Sequence, residues 1–433
     1  MSTSQLSIYF FLQVGVIILA CRAAGALARR LGQPQVVGEM IAGVMLGPSL
    51  LGALAPGVQT ALFPPASLDM LYIGGQVGVG LYMFLVGTEF NMGHLQARYR
   101  SALAVSWAGI AVPFALAFAL APWLHDVPGL FSSQARFLET ALFLGAAIAI
   151  TAFPMLARII QERGLAGSPL GTLALTAGAM DDAAAWCILA VVLASFGGSW
   201  GQAWLAIGGG LAYIALMLLA GRRLLRTLAG HVPTEGPLPA PVFAVVMVLF
   251  FFCAWAMDAI GLHAVFGGFV LGICLPRGAL TERLRATLQT VVVVMLLPLF
   301  FTYSGLKTQL SLIFDAAMLL PAVAILLASF GGKAVACWAA ARLAGESSRD
   351  AMAIGALMNA RGLMELIIIN IGLARGIIGP AFFSMLVLMA IATTLMASPL
   401  FEWVYGRKAR ARGELGTLDD SDADGAASRR MVA

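Results

Sequence analysis

Windows of about 18 to 22 predominantly apolar residues follow one another along this chain, each the length needed to cross roughly 30 Å of hydrocarbon. Set between charged, glycine and proline punctuation, they fall near 6–28, 35–54, 68–88, 101–124, 138–161, 169–196, 203–221, 240–258, 262–276, 286–304, 312–343, 350–374 and 380–405. This pattern predicts an all-α membrane protein with thirteen transmembrane helices, because a helix satisfies its own backbone inside a bilayer. The 433 residues are 61% hydrophobic and 11% charged, too few charges to coat a soluble globule, whose charged share is about 25%.

The formal charge of +5 does not point to nucleic acid, since the 26 lysines and arginines are spread over short loops. Cys21, Cys187, Cys253, Cys274 and Cys337 lie in or beside apolar runs without CxxC spacing, which indicates neither a disulfide framework nor a zinc site. Met1 to Gln5 carries no basic residue ahead of the first window, so that window is expected to stay as a span rather than be cleaved. Arg136, Lys307 and Arg375 fall on one side of the thirteen windows, Lys333 and Arg361 lie within them, and the remaining basic residues collect on the other side. Positive charge marks the cytoplasmic side, which places the N-terminus outside and the C-terminus in the cytoplasm. Six windows precede the seventh and six follow it, so the second six start from the opposite face, the parity of two inverted six-helix repeats. Residues 406–433, with Asp419, Asp420, Asp422 and Asp424 among small residues, read as a disordered cytoplasmic tail.

Against the apolar background, Asp181 and Asp182 stand side by side in the middle of the stretch Leu170 to Val192. One charged residue at the centre of a membrane helix costs at least about 2.5 kcal/mol, so a pair there marks function. Consecutive helix positions point about 100° apart, which gives one carboxylate a cavity and the other a partner. Two acids this close do not both ionise unless a cation compensates. Competition between a proton and a cation for one oxygen pair is the requirement of an exchange site. An interfacial pair at a helix end is the alternative, opposed by the apolar residues that flank it on both sides.

In the fifth window, AIAITAFPMLARII sets Pro154 inside a helical pattern, where its ring removes a backbone hydrogen bond and frees carbonyls near Ile150 and Thr151. Transporters commonly turn such carbonyls toward a cation, although neighbouring helices can also repair a plain kink. Lys333, in LLASFGGKAVACWAAA, is the one lysine within a window. It lies too far from the cytoplasmic Arg342 to snorkel and is read as buried and paired, a counter-ion and a second proton carrier. Arg361 and Glu365, in MNARGLMELIII, stand four apart on one helix face and are read as a structural ion pair bracing the twelfth span rather than as ligands. Glu39 and Glu89 are read as interfacial or structural, and His94, His125, His231 and His263 are too scattered to suggest a metal site.

The segments GEMIAGVMLGPSLLG (38–52), LYMFLVGTEFN (81–91), ITAFPMLARII (150–160), Asp-Asp followed by AAAW (181–186), GLHAVFGGFVLGICLP (261–276), LPLFFTYSGLKT (297–308) and GGKAVACWAA with GALMNARGLMELIIINIG (331–372) together resemble the monovalent cation:proton antiporter superfamily. The likeness is to the branch of plant and fungal cation/H+ exchangers and bacterial Kef-type and electrogenic sodium/proton antiporters, and it runs over nearly all of 6–405. The resemblance implies a homodimer with a dimerisation scaffold, about 6–88 and 203–304, and a mobile core, about 101–196 and 312–405, in which two broken helices cross beside the aspartates. It also implies that Asp182 binds cation or proton in turn, that Asp181 holds the position occupied by aspartate in electrogenic members, that Lys333 pairs with Asp181, and that Thr151 is the polar residue at the crossover. Kef-type proteins carry Gln-Asp here, so their ligand gating is not expected. The flanking motifs resemble plant exchangers often linked to potassium and the Asp-Asp resembles sodium-selective members, so both cations stay open.

The expected activity is exchange of a monovalent cation, Na+ or K+, for protons by alternating access in a bacterial inner membrane, with no cofactor and no enzymatic step. With Asp181 and Lys333 paired and Asp182 protonated the site is neutral. With both aspartates ionised, a cation bound and Lys333 deprotonated it carries one negative charge. That difference makes the exchange electrogenic, with two protons per cation; if Lys333 stays charged throughout, one proton moves per cation and no voltage dependence follows. A sodium-coupled organic-solute symporter shares broken helices, but the buried lysine opposes it. An intramembrane aspartyl protease needs its two carboxylates on facing helices.

Overall fold

The structure is a computed structural model, and it describes residues 2–89, 99–132, 135–163, 165, 168–196, 200–233, 236–260, 262–407 and 409. Residues 410–433, most of the expected disordered tail, lie outside these. The regular elements among the described residues are helical, apart from an isolated bridge between Phe131 and Ile378. Among the described residues, nine helices are long and apolar enough to cross a bilayer, and three shorter apolar helices accompany them. The chain divides into two compact units, one of Met1–Leu31, Gly38–Phe90 and Trp186–Gln309, the other of Gly32–Val37, Asn91–Ala185 and Leu310–Ala433.

The first unit packs its helices through glycine. In lipid there is little hydrophobic force between helices, so small residues that let backbones touch supply the packing contact. A Cβ added at Gly305 would lie 2.0 Å from the Gly43 carbonyl carbon, and one added at Gly43 would lie 2.4 Å from the Phe301 oxygen. Gly87 and Gly272 meet in the same way, with added Cβ atoms 2.3 Å from the Phe269 oxygen and 2.2 Å from the Phe84 oxygen. In each case the obstacle is backbone, which cannot swing aside. Gly305→Ala is therefore expected to destabilise the protein by about 1–3 kcal/mol, the range for overpacking a tight interior. Gly15→Ala, on an exposed helix position with nothing within 4 Å, is the neutral control. Thermal melts of both variants in detergent check this, and equal melting temperatures would remove the close-approach account.

Glu39 is buried in this unit and pairs with Arg22 at 2.5 Å. The same guanidinium donates to the Val293 carbonyl at 3.2 Å, an oxygen within the wide π-turn Val292–Leu296. Glu39 thus ties the helix Gln35–Leu46 to the helix Thr3–Arg30.

The second unit contains two broken helices. The first consists of Phe137–Ala149 and Phe153–Glu162, the second of Ser348–Leu357 and Leu363–Ala374. The loops beside them are pinned together, Ser132 N–H donating to the Ile377 oxygen at 3.0 Å and Gly379 N–H to the Leu130 oxygen at 2.8 Å. The first break spans Ile150–Ala152, ahead of Pro154. Pro154 is the second residue of the following half-helix, where a missing N–H leaves no hydrogen bond unmade. The second break spans Met358–Gly362. A Cβ at Gly362 would lie 2.6 Å from Met155 Cγ, so glycine is what admits the second half-helix of the first pair at this point.

Candidate functional site

The two breaks meet. Ala152 N–H donates to the Ala360 oxygen at 3.0 Å, joining the interrupted strands of backbone directly. Unpaired peptide groups inside a membrane protein must find partners, and here nearby side chains provide them. The Arg361 N–H donates to Thr394 Oγ1 at 3.1 Å, while the Thr394 hydroxyl lies 3.0 Å from the Arg361 oxygen and 2.7 Å from the Ala390 oxygen. Thr394 belongs to the helix Pro380–Phe401 and is fully buried.

The last turn of Phe137–Ala149 ends in carbonyls without helical partners, and a helix C-terminus carries partial negative charge. Two buried cations cover it. Lys333 donates to the Ala149 oxygen, and Arg361 donates through Nη1 to the Ala147 oxygen at 3.0 Å and the Ile150 oxygen at 3.2 Å, and through Nη2 to the Ile148 oxygen. The carbonyls that the sequence pattern turns toward a cation thus face protein cations in this structure. Arg361 lies 3.5 Å from Glu365, close enough for charge attraction, yet neither Glu365 oxygen makes a hydrogen bond.

Asp181 and Asp182 sit on the helix Pro169–Phe196, 1% and 0% exposed, in different surroundings. Asp181 accepts from three donors: Ser106 at 2.6 Å on Oδ1, and Lys333 at 2.9 Å and Thr151 at 2.8 Å on Oδ2. The Thr151 hydroxyl also lies 3.0 Å from the Met358 oxygen, so its proton serves one acceptor at a time. Lys333 follows directly on the π-turn Ala328–Gly332, and its three N–H donors are matched by Asp181, the Ala149 oxygen and the Gly109 oxygen at 3.2 Å. Asp182 has no such support. The backbone of Phe153 approaches its carboxylate, but neither oxygen completes a hydrogen bond to a protein donor.

Asp181, Thr151 and Lys333 are therefore joined by direct hydrogen bonds at the crossing, and Arg361, paired with Glu365, covers the same helix end as Lys333, with Asp182 beside Asp181 and Pro154 opening the neighbouring half-helix. Ser106 and Thr394 were not among the residues expected from sequence. Both lie in long apolar helices, where a hydroxyl more often bonds the carbonyl four residues back. The expected Arg361–Glu365 brace needs correction in one respect. Arg361 precedes the half-helix Leu363–Ala374 in the broken segment, and its hydrogen bonds go to the first broken helix rather than along its own.

The sequence matches the family described as "Sodium/hydrogen exchanger, transmembrane" over residues 15–405. The chain belongs to the sodium/hydrogen exchanger family. Relatives of this exchanger include the Na(+)/H(+) antiporter NhaS4 of Synechocystis, 38% identical over 90% of this chain and 95% of that protein. Cation/H(+) antiporter 17 of Arabidopsis thaliana is 33% identical over 91% of this chain and 48% of its own length. K(+)/H(+) antiporter 1 of Saccharomyces cerevisiae is 30% identical over 98% of this chain and 50% of its own. The exchanger thus spans about half the length of these plant and yeast relatives. The solved structure of the sodium proton antiporter MjNhaP1 from Methanocaldococcus jannaschii matches with a TM-score of 0.62 at 12% identity, covering 93% of this chain and 97% of that one, a likeness of fold. As a family member the chain is an integral membrane protein and a transporter, one of the antiporters of cations and protons.

Proposed function

We propose that this chain exchanges a monovalent cation, Na+ or K+, for protons by alternating access, with Asp182 as the group that carries proton and cation in turn. One observation carries this. Asp182 is a fully buried carboxylate without a hydrogen-bond donor, next to an Asp181 that already has three. An unpaired charge in such a place is prohibitively costly, so Asp182 is either protonated or in contact with a cation. It does not hold both.

The finer reading has thirteen spans in two inverted six-helix repeats, the N-terminus outside and the C-terminus in the cytoplasm of a bacterial inner membrane. Two copies form a homodimer through residues 6–88 and 203–304, and the core of residues 101–196 and 312–405 moves. The division of the chain into two compact units supports a moving part and a fixed part. The full set of hydrogen bonds on Lys333 supports a charged lysine in the proton-loaded site, from which a second proton leaves when the cation enters. Two protons per cation make the cycle electrogenic.

The experiment is proton flux in proteoliposomes on adding Na+, K+, Li+ or Rb+, comparing the intact chain with Asp182→Asn. Asparagine keeps the shape and removes the titratable charge, so flux driven by every cation is expected to fall to the level of empty vesicles. If Asp182→Asn exchanges as fast as the parent, Asp182 is not the carrier. Current recorded under a cation gradient tests the stoichiometry separately.

A further inference from the structure

We propose that Ser106 is a positioning residue for the exchange: its hydroxyl holds Asp181 as an anion while Lys333 gives up and regains its proton, and so sets the pH range over which the site empties of protons. This rests on the proposed exchange at Asp182 and adds a residue to which the sequence drew no attention. Ser106 is 3% exposed and donates to Asp181 Oδ1 at 2.6 Å. Of the three donors on Asp181 it is the one without a competing acceptor. Thr151 divides its proton with the Met358 oxygen, and Lys333 divides its charge with the Gly109 and Ala149 oxygens. When Lys333 becomes neutral, the carboxylate loses its counter-ion and depends on the two hydroxyls, of which only Ser106 is wholly directed at it.

The helix Tyr99–His125 serves both members of the ion pair. Three residues apart it presents the Ser106 hydroxyl to the anion and the Gly109 carbonyl to the cation, at 2.6 Å and 3.2 Å. Glycine is what allows this approach, since a Cβ at position 109 would lie 2.8 Å from Cys337 Sγ and 3.6 Å from Lys333 Nζ. The other charged or titratable groups acting on this pair are Asp182, Arg361, Glu365 and the Cys337 thiol. None of them is a donor to Asp181 Oδ1.

The sign follows from which state the bond favours. A donor to a carboxylate stabilises its anion, and the Asp181 anion leans on that donor more when Lys333 is neutral than when its charge lies alongside, so removing Ser106 disfavours the deprotonated site more than the proton-loaded one, and protons stay on to higher pH. In proteoliposomes of the full chain, the pH profile of cation-driven proton flux for Ser106→Ala is expected to move in the alkaline direction by about one pH unit, the scale of one hydrogen bond to a charged group. Flux lost near neutral pH should return at the alkaline end. Ser106→Thr keeps the hydroxyl and should restore the parent profile, and Ser106→Cys, a weaker donor of similar size, should fall between. Should the alanine variant fail to fold, the threonine and cysteine profiles carry the test. An alanine or cysteine profile that superimposes on the parent's, or a loss by one factor at every pH in threonine and alanine alike, overturns the proposal. Parent and Asp182→Asn vesicles run alongside: equal flux in those two sinks the exchange site itself and this inference with it, whereas a dead Asp182→Asn with an unmoved Ser106→Ala profile sinks the inference alone.

Discussion

Arg361→Ala is expected to cost about 3–5 kcal/mol of stability, the range for removing one partner from a buried charge pair, out of the about 5–15 kcal/mol that folded proteins have. The guanidinium is fully buried and covers the Ala147, Ile148 and Ile150 oxygens, the frayed negative end of the helix Phe137–Ala149. Truncation leaves those carbonyls without donors in a place water enters only at a cost, and it leaves Glu365 without a counter-ion. Which loss dominates can be measured. If Arg361 served mainly as the counter-ion, Glu365→Gln added to Arg361→Ala would recover most of the stability. The geometry favours the carbonyls, since three hydrogen bonds go to them and none to Glu365, so the double variant should recover less than half. Arg361→Lys should also rescue poorly, because an ammonium lacks the planar fork that reaches three oxygens at once. Melting curves of the parent and these three variants in detergent decide it, and near-complete recovery in the double variant would return Arg361 to the role of simple ion-pair partner.

Arg361 shows where sequence patterns stop. The four-residue spacing finds Glu365, 3.5 Å away, although the helix begins only at Leu363, after the arginine. It says nothing of the Ala147, Ile148 and Ile150 oxygens, which lie 214, 213 and 211 residues away in the chain and take the arginine's hydrogen bonds. Pro154 marks its break from just beyond it: the interruption is at Ile150–Ala152, where the pattern frees the Ile150 and Thr151 carbonyls, and the proline itself sits in the first turn of the next half-helix, which suits it better than a helix middle. The long apolar helices were readable because their composition must match the bilayer along its whole thickness, a constraint repeated at every residue. Asp181, Asp182 and Lys333 stood out for the same reason, as charges where hydrocarbon is expected. Ser106 and Thr394 had no such contrast, being small hydroxyls among alanines and glycines that any membrane helix tolerates. The site was thus legible in its charges and silent in its neutral donors.

Lys333→Gln is expected to leave exchange running, at reduced rate, while abolishing the current that accompanies it. Glutamine can still donate from its amide to Asp181 and to one of the carbonyls that Lys333 serves, so the crossing keeps part of its bonding. It cannot bind or release a proton, however, and it brings no positive charge. Asp181 then lies buried beside Asp182 with no cation adjacent, an arrangement in which two carboxylates do not both ionise. Asp181 should therefore retain a proton throughout the cycle, leaving Asp182 as the one group that exchanges. One proton then leaves for each cation that enters, and the loaded and unloaded sites carry the same charge. In the parent, by contrast, the lysine supplies a second proton and the two forms differ by one charge. Solid-supported membrane currents, measured with the same vesicles in which proton flux is followed optically, separate the cases. Persistent flux without current fits a lysine that titrates during transport. A parent that exchanges without current would mean that Lys333 stays charged through the whole cycle, acting as a fixed counter-ion to Asp181 and never as a carrier, and a parent current that survives undiminished in Lys333→Gln would place the second proton on another group.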